Sequence, residues 1–492
     1  MAKVNERRIT EYGMIGKNDT TKALPMKPNE PKVKIVATIG PSTNTAEAIA
    51  DLIERGVNVF RLNFSYGTHS EHKKTIETIR KIAQKKERFI AVLQDICGPK
   101  IRIRGMSEPR SVEKGDRLIL AKEAKNDAFT ITYPSIINEL KTEDRIFFAD
   151  GTVQTRVIEK HDDHVVLEVL TPGRLMEGKG VNFPKADITL HALTDKDRDD
   201  IRFGAEMGVD YVAISFVSSE KDVIDARKIQ RDAGGKAWIV SKIERTAAVE
   251  NIDAIVDESD AVMVARGDLG AEAGLSKVPV LQKKIIKMCN RKAKPVIVAT
   301  QMLTSMVNSP YPTRAEVSDI ANAVFDGTDA VMLSDETAAG KYPGEAVDVL
   351  VSTILETQES YPYYKAFETT PGESFPHAAA SLAQIERCDF IAALTMSGYT
   401  MLHLAKYRPK EPLFVITTDP AILNKTALVW GVNGAVTIDE KSFKTEQQMI
   451  QDLLKEQKKD PEAFLLVTGY LGEKISMGKS VRYIRRQDRK RS

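Results

Sequence analysis

The chain has 492 residues, enough for about three domains of ordinary size, and 71 Lys and Arg against 69 Asp and Glu give a formal net charge of +2. That balance argues against a chain that coats nucleic acid or an anionic membrane, either of which calls for a basic excess. Hydrophobic residues at 42% and charged residues at 28% fit an ordinary globular protein. Three cysteines (Cys97, Cys289, Cys388) are too few for a disulfide framework. With no apolar signal core and no run of about 18 apolar residues, the expected localisation is cytoplasmic.

Residues 1–30 are polar and proline-bearing and read as an N-terminal arm. Eight short β-type runs then follow, most leading into a helix-period stretch. They begin at Val33 (VKIVATIG), Val57 (VNVFRLNFS), Ile90 (IAVLQDI), Tyr211 (YVAISFV), Ala237 (AWIVSKIE), Ala261 (AVMVARG), Pro295 (PVIVATQML) and Ala330 (AVMLSDE). Eight βα units is the count of a closed parallel barrel. The fold class expected is therefore α/β, a (β/α)8 barrel built from residues 31–97 and 185–360. More than 110 residues separate Ile96 from Tyr211, too many for one crossover. The intervening stretch alternates like β structure, with a hairpin signal at Asp150-Gly151 and a weaker one at Asp162-Asp163. Residues 98–184 are thus expected to form a small β domain inserted after the third barrel strand, a placement that suits a lid. From 361 to 492 strands and helices alternate again, including a long helix ending at Lys459, which predicts an open C-terminal α/β domain. The basic tail RYIRRQDRKRS reads as a solvated end or subunit contact.

The ends of the eight runs turn polar. Alternate residues of a strand share a face, so Arg61, Asn63 and Ser65 oppose Phe60, Leu62 and Phe64. Lys242 and Glu244 are likewise two apart, as are Arg266 and Asp268, and Ser334 and Glu336. Barrel active sites lie at the C-terminal rim, and unpaired buried charge is costly. Three candidate cations (Arg61, Lys242, Arg266) beside Glu244, Asp268 and Asp95 suit a phosphorylated substrate bridged by a divalent ion, since Mg²⁺ takes one or two carboxylates plus substrate oxygens. The alternative is that these groups only pair with one another. Gly472 to Ser480 has five residues between its glycines where a P-loop has four, and it precedes a strand, so it is not a nucleotide fingerprint. The histidines show no zinc-ligand spacing.

At these residues the sequence resembles the pyruvate kinase family. KIVATIGPST, VFRLNFSYGTH, SKIE, MVARGDLG, ATQMLTSM, PTRAEVSDIANAV and DAVMLSDETAAGKYP stand in the family's order and spacing. The resemblance implies phosphoryl transfer from phosphoenolpyruvate to ADP, giving pyruvate and ATP. It implies that Lys242 stabilises the moving phosphoryl group and the enolate, that Arg61 binds phosphate, and that Glu244 and Asp268 hold Mg²⁺ or Mn²⁺. Ala265, Arg266, Gly267 and Asp268 match the turn that holds the substrate carboxylate. Thr300 and Ser334 match hydroxyls implicated in protonating the enolate. Asn63, Arg102 and Lys179 match nucleotide-side residues, and the family suggests a homotetramer.

Potassium-dependent members read Asp-Thr-Lys-Gly-Pro-Glu at the third strand, where this chain reads Asp95-Ile96-Cys97-Gly98-Pro99-Lys100. An ammonium at Lys100, beside a monovalent-cation site formed by Asn63, Ser65 and Asp95, is expected to remove the K⁺ requirement. Tyr66 stands where the family usually has His, and Asp335 where it has Gly. Thr395, Ser397, Gly398 and Thr400 resemble a loop that binds a phosphate of a phosphorylated effector; an ordinary helix cap reads equally well there. The rival readings are a Mg²⁺-dependent pyruvate-enolate aldolase or lyase on the same barrel, and a catalytically silent, metabolite-sensing paralogue.

Overall fold

The computed structural model describes residues 23–24, 30–125, 127–149, 151–183, 192–368, 373–438, 461–468 and 479–486. Eight parallel strands close into a barrel: Lys34–Thr38, Val59–Asn63, Ala91–Asp95, Tyr211–Ile214, Trp238–Ile243, Ala261–Ala265, Val296–Ala299 and Ala330–Leu333. All eight expected runs supply them, in order. The helices after the first, second and seventh strands open on threonine caps at Thr45, Thr68 and Thr313, and the helix entering the fourth strand opens on Thr194. In each the hydroxyl satisfies an orphan backbone N–H.

Two apolar layers follow from strand alternation. Ile35, Phe60, Leu62, Val92, Val212, Ile239, Val262 and Val298 face outward and pack on the helices. Val36, Val59, Leu93, Tyr211, Ala213, Trp238, Val240, Met263, Ile297 and Met332 fill the interior. The interior layer is continuous with Met401, Leu404, Val415 and Leu428 of the C-terminal domain. That domain therefore stoppers the barrel's N-terminal end. Tyr211 donates to the Lys425 carbonyl at 2.6 Å, and the Lys34 ammonium to the Val432 carbonyl at 2.6 Å. Buried Arg408 donates to Asp329, Asn290 and the Gly327 carbonyl at 2.9, 2.6 and 2.7 Å. With that end closed, the opposite rim is left open for chemistry.

The stretch after the third strand forms a five-stranded antiparallel sheet with two smaller two-stranded pieces. Both hairpin expectations hold: Arg145–Phe148 pairs with Val153–Lys160, and that strand with His164–Val169. The C-terminal sheet has six strands, four of them (Phe390–Leu394, Leu413–Thr417, Val432–Thr437, Ala463–Thr468) parallel and one antiparallel at an edge, Ser480–Arg485. The sixth is supplied by the N-terminal arm. Ala23–Leu24 pairs antiparallel with Ala435–Val436, so the arm crosses to the far edge of the C-terminal sheet. The expected helix ending at Lys459, most of the glycine-bearing stretch at 472–480, and the end of the basic tail lie outside the described residues.

Candidate active site

The interior residues of the first five strands change from apolar to polar at the C-terminal end without changing parity. Val36 leads to Thr38, Val59 to Arg61 and Asn63, Leu93 to Asp95, Ala213 to Ser215, and Val240 to Lys242 and then Glu244. In-register pairing sets Thr38 beside Arg61 and Asn63 beside Asp95. The mouth is therefore a ring of polar groups whose positions are dictated by strand register.

Lys242 is the hub. Its ammonium lies 3.2 Å from Asp95 Oδ1, 2.9 Å from Glu244 Oε1 and 2.8 Å from Ser215 Oγ. An ammonium has three donors, and three acceptors surround this one. Burial alone would lower its pKa, but Asp95 and Glu244 outweigh it and raise the pKa, so the charge is secure. Asp95 also accepts from Arg61 Nε at 2.6 Å, and Arg61 Nη1 donates to Thr38 Oγ1 at 3.0 Å. Burial would raise the Asp95 pKa, but the two cations beside it hold the carboxyl below its ordinary range.

Glu244 behaves oppositely. Burial raises its pKa, Lys242 and the Phe216 N–H (2.7 Å) pull it down, and the neighbouring negative charge of Asp268 pushes it up again. The net shift is upward, with burial the largest cause and the neighbouring carboxylate of Asp268 adding to it. That is the electrostatic condition a divalent cation relieves. Among the described residues no cluster of three or more acidic, His or Cys ligands occurs. The donor set thus fits an ion such as Mg²⁺ that completes its shell with water and substrate oxygens.

The expectation that Arg266 points a cation into the mouth is corrected. The strand ends at Ala265, and Arg266–Ala273 is a helix, so residues two apart lie on opposite sides. Arg266 turns into the barrel wall. It donates to Asp319, to the Thr300 carbonyl at 2.6 Å and to the Gln301 carbonyl at 3.2 Å. The pairing of Ser334 with Glu336 fails for the same reason: Glu336 is buried and accepts from the Leu303 and Ser334 backbone N–H groups at 2.9 and 2.7 Å.

Thr300 and Gln301 carry φ of 68° and 55°, a region costly for non-glycine residues. Arg266 clamps both carbonyls. The Thr300 hydroxyl accepts from the Gly267 N–H at 2.8 Å, tying the seventh strand's end to the 265–268 turn. Ser334 Oγ is buried and has no hydrogen-bond partner among the described residues. Tyr66 is exposed on the rim, and Asp335 opens the short helix Asp335–Ala338.

The insert's root lies over the mouth. A cleft is lined by Lys100, Ile101 and Gly180–Phe183 on the insert side and by Phe216, Arg245, Asp268 and Glu272 on the barrel side. Lys100 thus stands in the cleft with Asp268; among the described residues it forms no ion pair with Asp95. Asn63 Oδ1 accepts from the Ser65 N–H at 3.1 Å. Arg102 and Lys179 lie on adjacent segments of the insert: the Ile103 N–H donates to the Lys179 carbonyl at 2.9 Å, and Arg102 bridges Gly180 and donates to the Gly178 carbonyl at 2.9 Å. Thr395, Ser397, Gly398 and Thr400 are remote from this mouth. A Cβ on Gly398 would come within 3.2 Å of Trp238, whose strand starts at the barrel's closed end, and the Gly398 N–H donates to Thr395 Oγ1 at 3.0 Å.

Sequence reasoning missed Ser215, Thr38 and the cleft residues Asn182, Arg245 and Glu272. Parity would have found the first two, since each lies two residues beyond an interior apolar residue. The last three meet only through the insert's docking.

A family model described as "Pyruvate kinase, barrel domain" matches residues 30–347, and "Pyruvate kinase, alpha/beta domain" matches residues 373–474. The pyruvate kinase of Staphylococcus epidermidis is 42% identical over 422 residues, 82% of this chain and 72% of that protein. That of Geobacillus stearothermophilus is 41% identical over 415 residues, 82% of this chain and 71% of the relative. A solved pyruvate kinase from Cryptosporidium parvum superposes with a TM-score of 0.85 at 32% identity, covering 94% of this chain and 98% of the other. The chain belongs to the pyruvate kinase family.

Proposed function

We propose that this barrel mouth transfers the phosphoryl group of phosphoenolpyruvate to ADP, giving pyruvate and ATP, and does so without K⁺. The observation that carries the transfer is the Lys242 ammonium, held charged by Asp95 and Glu244 next to Arg61. Arg61 and Lys242 offer positive charge to a phosphoryl group, which needs positioning and charge neutralisation more than covalent help. Asp95 keeps the two cations from repelling one another. A divalent ion at Glu244 and Asp268, Mg²⁺ or Mn²⁺, would supply charge to phosphoryl and enolate oxygens. The backbone of the 265–268 turn presents N–H groups to the substrate carboxylate. After transfer Lys242 holds the enolate oxygen, and the Thr300 and Ser334 hydroxyls take part in protonating the enolate. Asn63, Arg102 and Lys179 serve the nucleotide. The domain limits 31–97 with 185–360, 98–184 and 361–492, and a homotetrameric assembly, belong to the same reading.

Independence from K⁺ rests on Lys100, which lines the cleft with Asp268, and on Ile96, which offers no side-chain ligand. The test is a coupled ADP-phosphorylation assay in sodium-only and potassium buffers at equal ionic strength. Equal rates support the reading; a large potassium activation overturns it.

A further inference from the structure

We propose that Glu272 is a positioning residue that latches the root of the insert to the helix carrying Asp268, and that this latch sets how far the insert closes over the mouth. The proposal rests on the phosphoryl-transfer reading for its kinetic readout only.

The helix Arg266–Ala273 begins at the turn assigned to the substrate carboxylate. Asp268 and Glu272 are four residues apart on it and so share one face, and both line the cleft beneath the insert. The Asp268 charge is near enough to Glu244 to push the Glu244 pKa up. Glu272 lies across the same cleft from Asn182 and Phe183 of the insert, with Arg245 alongside; burial raises its carboxyl pKa, and all three pull it down against that. Arg245 immediately follows Glu244 and is itself steadied by Ser218 Oγ at 3.2 Å. One carboxylate therefore gathers the insert, the fifth strand's end and the metal-side helix.

The mechanical consequence follows from topology. Asn182 lies in Val181–Asn182, which pairs with Arg145–Phe148 at one edge of the five-stranded sheet. A tether at Asn182 is a tether on the whole sheet. The insert's other root is fixed separately: the Gly98 N–H donates to Asp197 at 3.0 Å, and Gly98 packs so closely that a Cβ would meet Ser215 at 2.9 Å. With the Gly98 root acting as pivot, the Glu272 contact governs the opening angle. It also transmits that angle to Asp268, one helical turn away.

Glu272→Ala, Asn182→Ala and the double variant test this, each by steady-state kinetics with phosphoenolpyruvate and ADP and by hydrogen exchange of backbone amides 179–183 without substrate. Loosening the closed state reduces apparent affinity in proportion to its lost population. We expect KM for ADP to rise roughly 10-fold in Glu272→Ala and less in Asn182→Ala, with kcat within about 2-fold. Exchange at 179–183 should quicken in both. The double variant should be no worse than Glu272→Ala, because both remove one contact. Unchanged KM and unchanged exchange in the single variants overturn the proposal, as do fully additive effects in the double. Should Glu272→Ala not fold, Asn182→Ala, on the insert side, carries the same test. If the wild type transfers no phosphoryl group, the functional reading fails, while the exchange measurement still decides the latch.

Discussion

Replacing Arg266 by Lys separates a wall brace from a substrate ligand. The guanidinium is 8% exposed and reaches Asp319, the Thr300 carbonyl at 2.6 Å and the Gln301 carbonyl at 3.2 Å, from the far side of the turn that carries Asp268. A lysine keeps the charge but offers three donors at one point in place of a planar fork. It can hold Asp319 and the Thr300 carbonyl, so the bond to the Gln301 carbonyl and the Nε bond to the Ala299 carbonyl at 3.3 Å are lost, each worth about 1.5–3 kcal/mol. The left-handed backbone at Thr300 and Gln301, worth about 1–3 kcal/mol of strain per residue, then loses its clamp. We expect a stability loss of about 3–4 kcal/mol in urea unfolding followed by circular dichroism. As the Thr300–Gly267 contact drifts, kcat should fall roughly 10- to 100-fold. A wild-type unfolding midpoint combined with a large rise in KM for phosphoenolpyruvate would refute the brace and make Arg266 a direct ligand.

Other perturbations follow from the same geometry. Asp95→Asn keeps an acceptor for Arg61 but removes the charge between two cations, so it should cost about 2–4 kcal/mol of stability and lower kcat/KM, read by urea unfolding and steady-state kinetics. Lys100→Glu should create a potassium requirement, seen as activation by K⁺ that the parent lacks. At the closed end of the barrel, burial lowers the pKa of Lys32 and of Lys34 to about 8. Between pH 8 and about 10.4 the unfolded chain then binds more protons than the folded one, and stability should rise with pH over that window by up to ~1.4 kcal/mol per unit per lysine. Lys34→Met should roughly halve that slope in urea midpoints measured from pH 7 to 10.5.

Much of this molecule is legible in its sequence because a parallel barrel repeats one rule. Each strand is largely apolar on both faces, the first five lead into polar residues of fixed parity, and that parity places Arg61, Asp95, Lys242 and Glu244 around one point. The rule stops where the strand stops. Arg266 and Glu336 were assigned by a period of two, but each already lies in a helix, where the period is 3.6. The arm's crossing to the C-terminal sheet was illegible because Ala23–Leu24 is too short to show alternation. The contact of Asn182 with Glu272 was illegible because it depends on how two separately folded parts dock, which local pattern does not encode.

The central claim is that the charge held at Lys242 performs the transfer. The most direct measurement is ATP formation from phosphoenolpyruvate and ADP with Mg²⁺ by the wild type and by Lys242→Met, whose fold is checked by circular dichroism. The account predicts one ATP per phosphoenolpyruvate in the wild type and a loss of at least about 10²–10³ in kcat for the variant. Turnover by Lys242→Met within a few-fold of the wild type would contradict it.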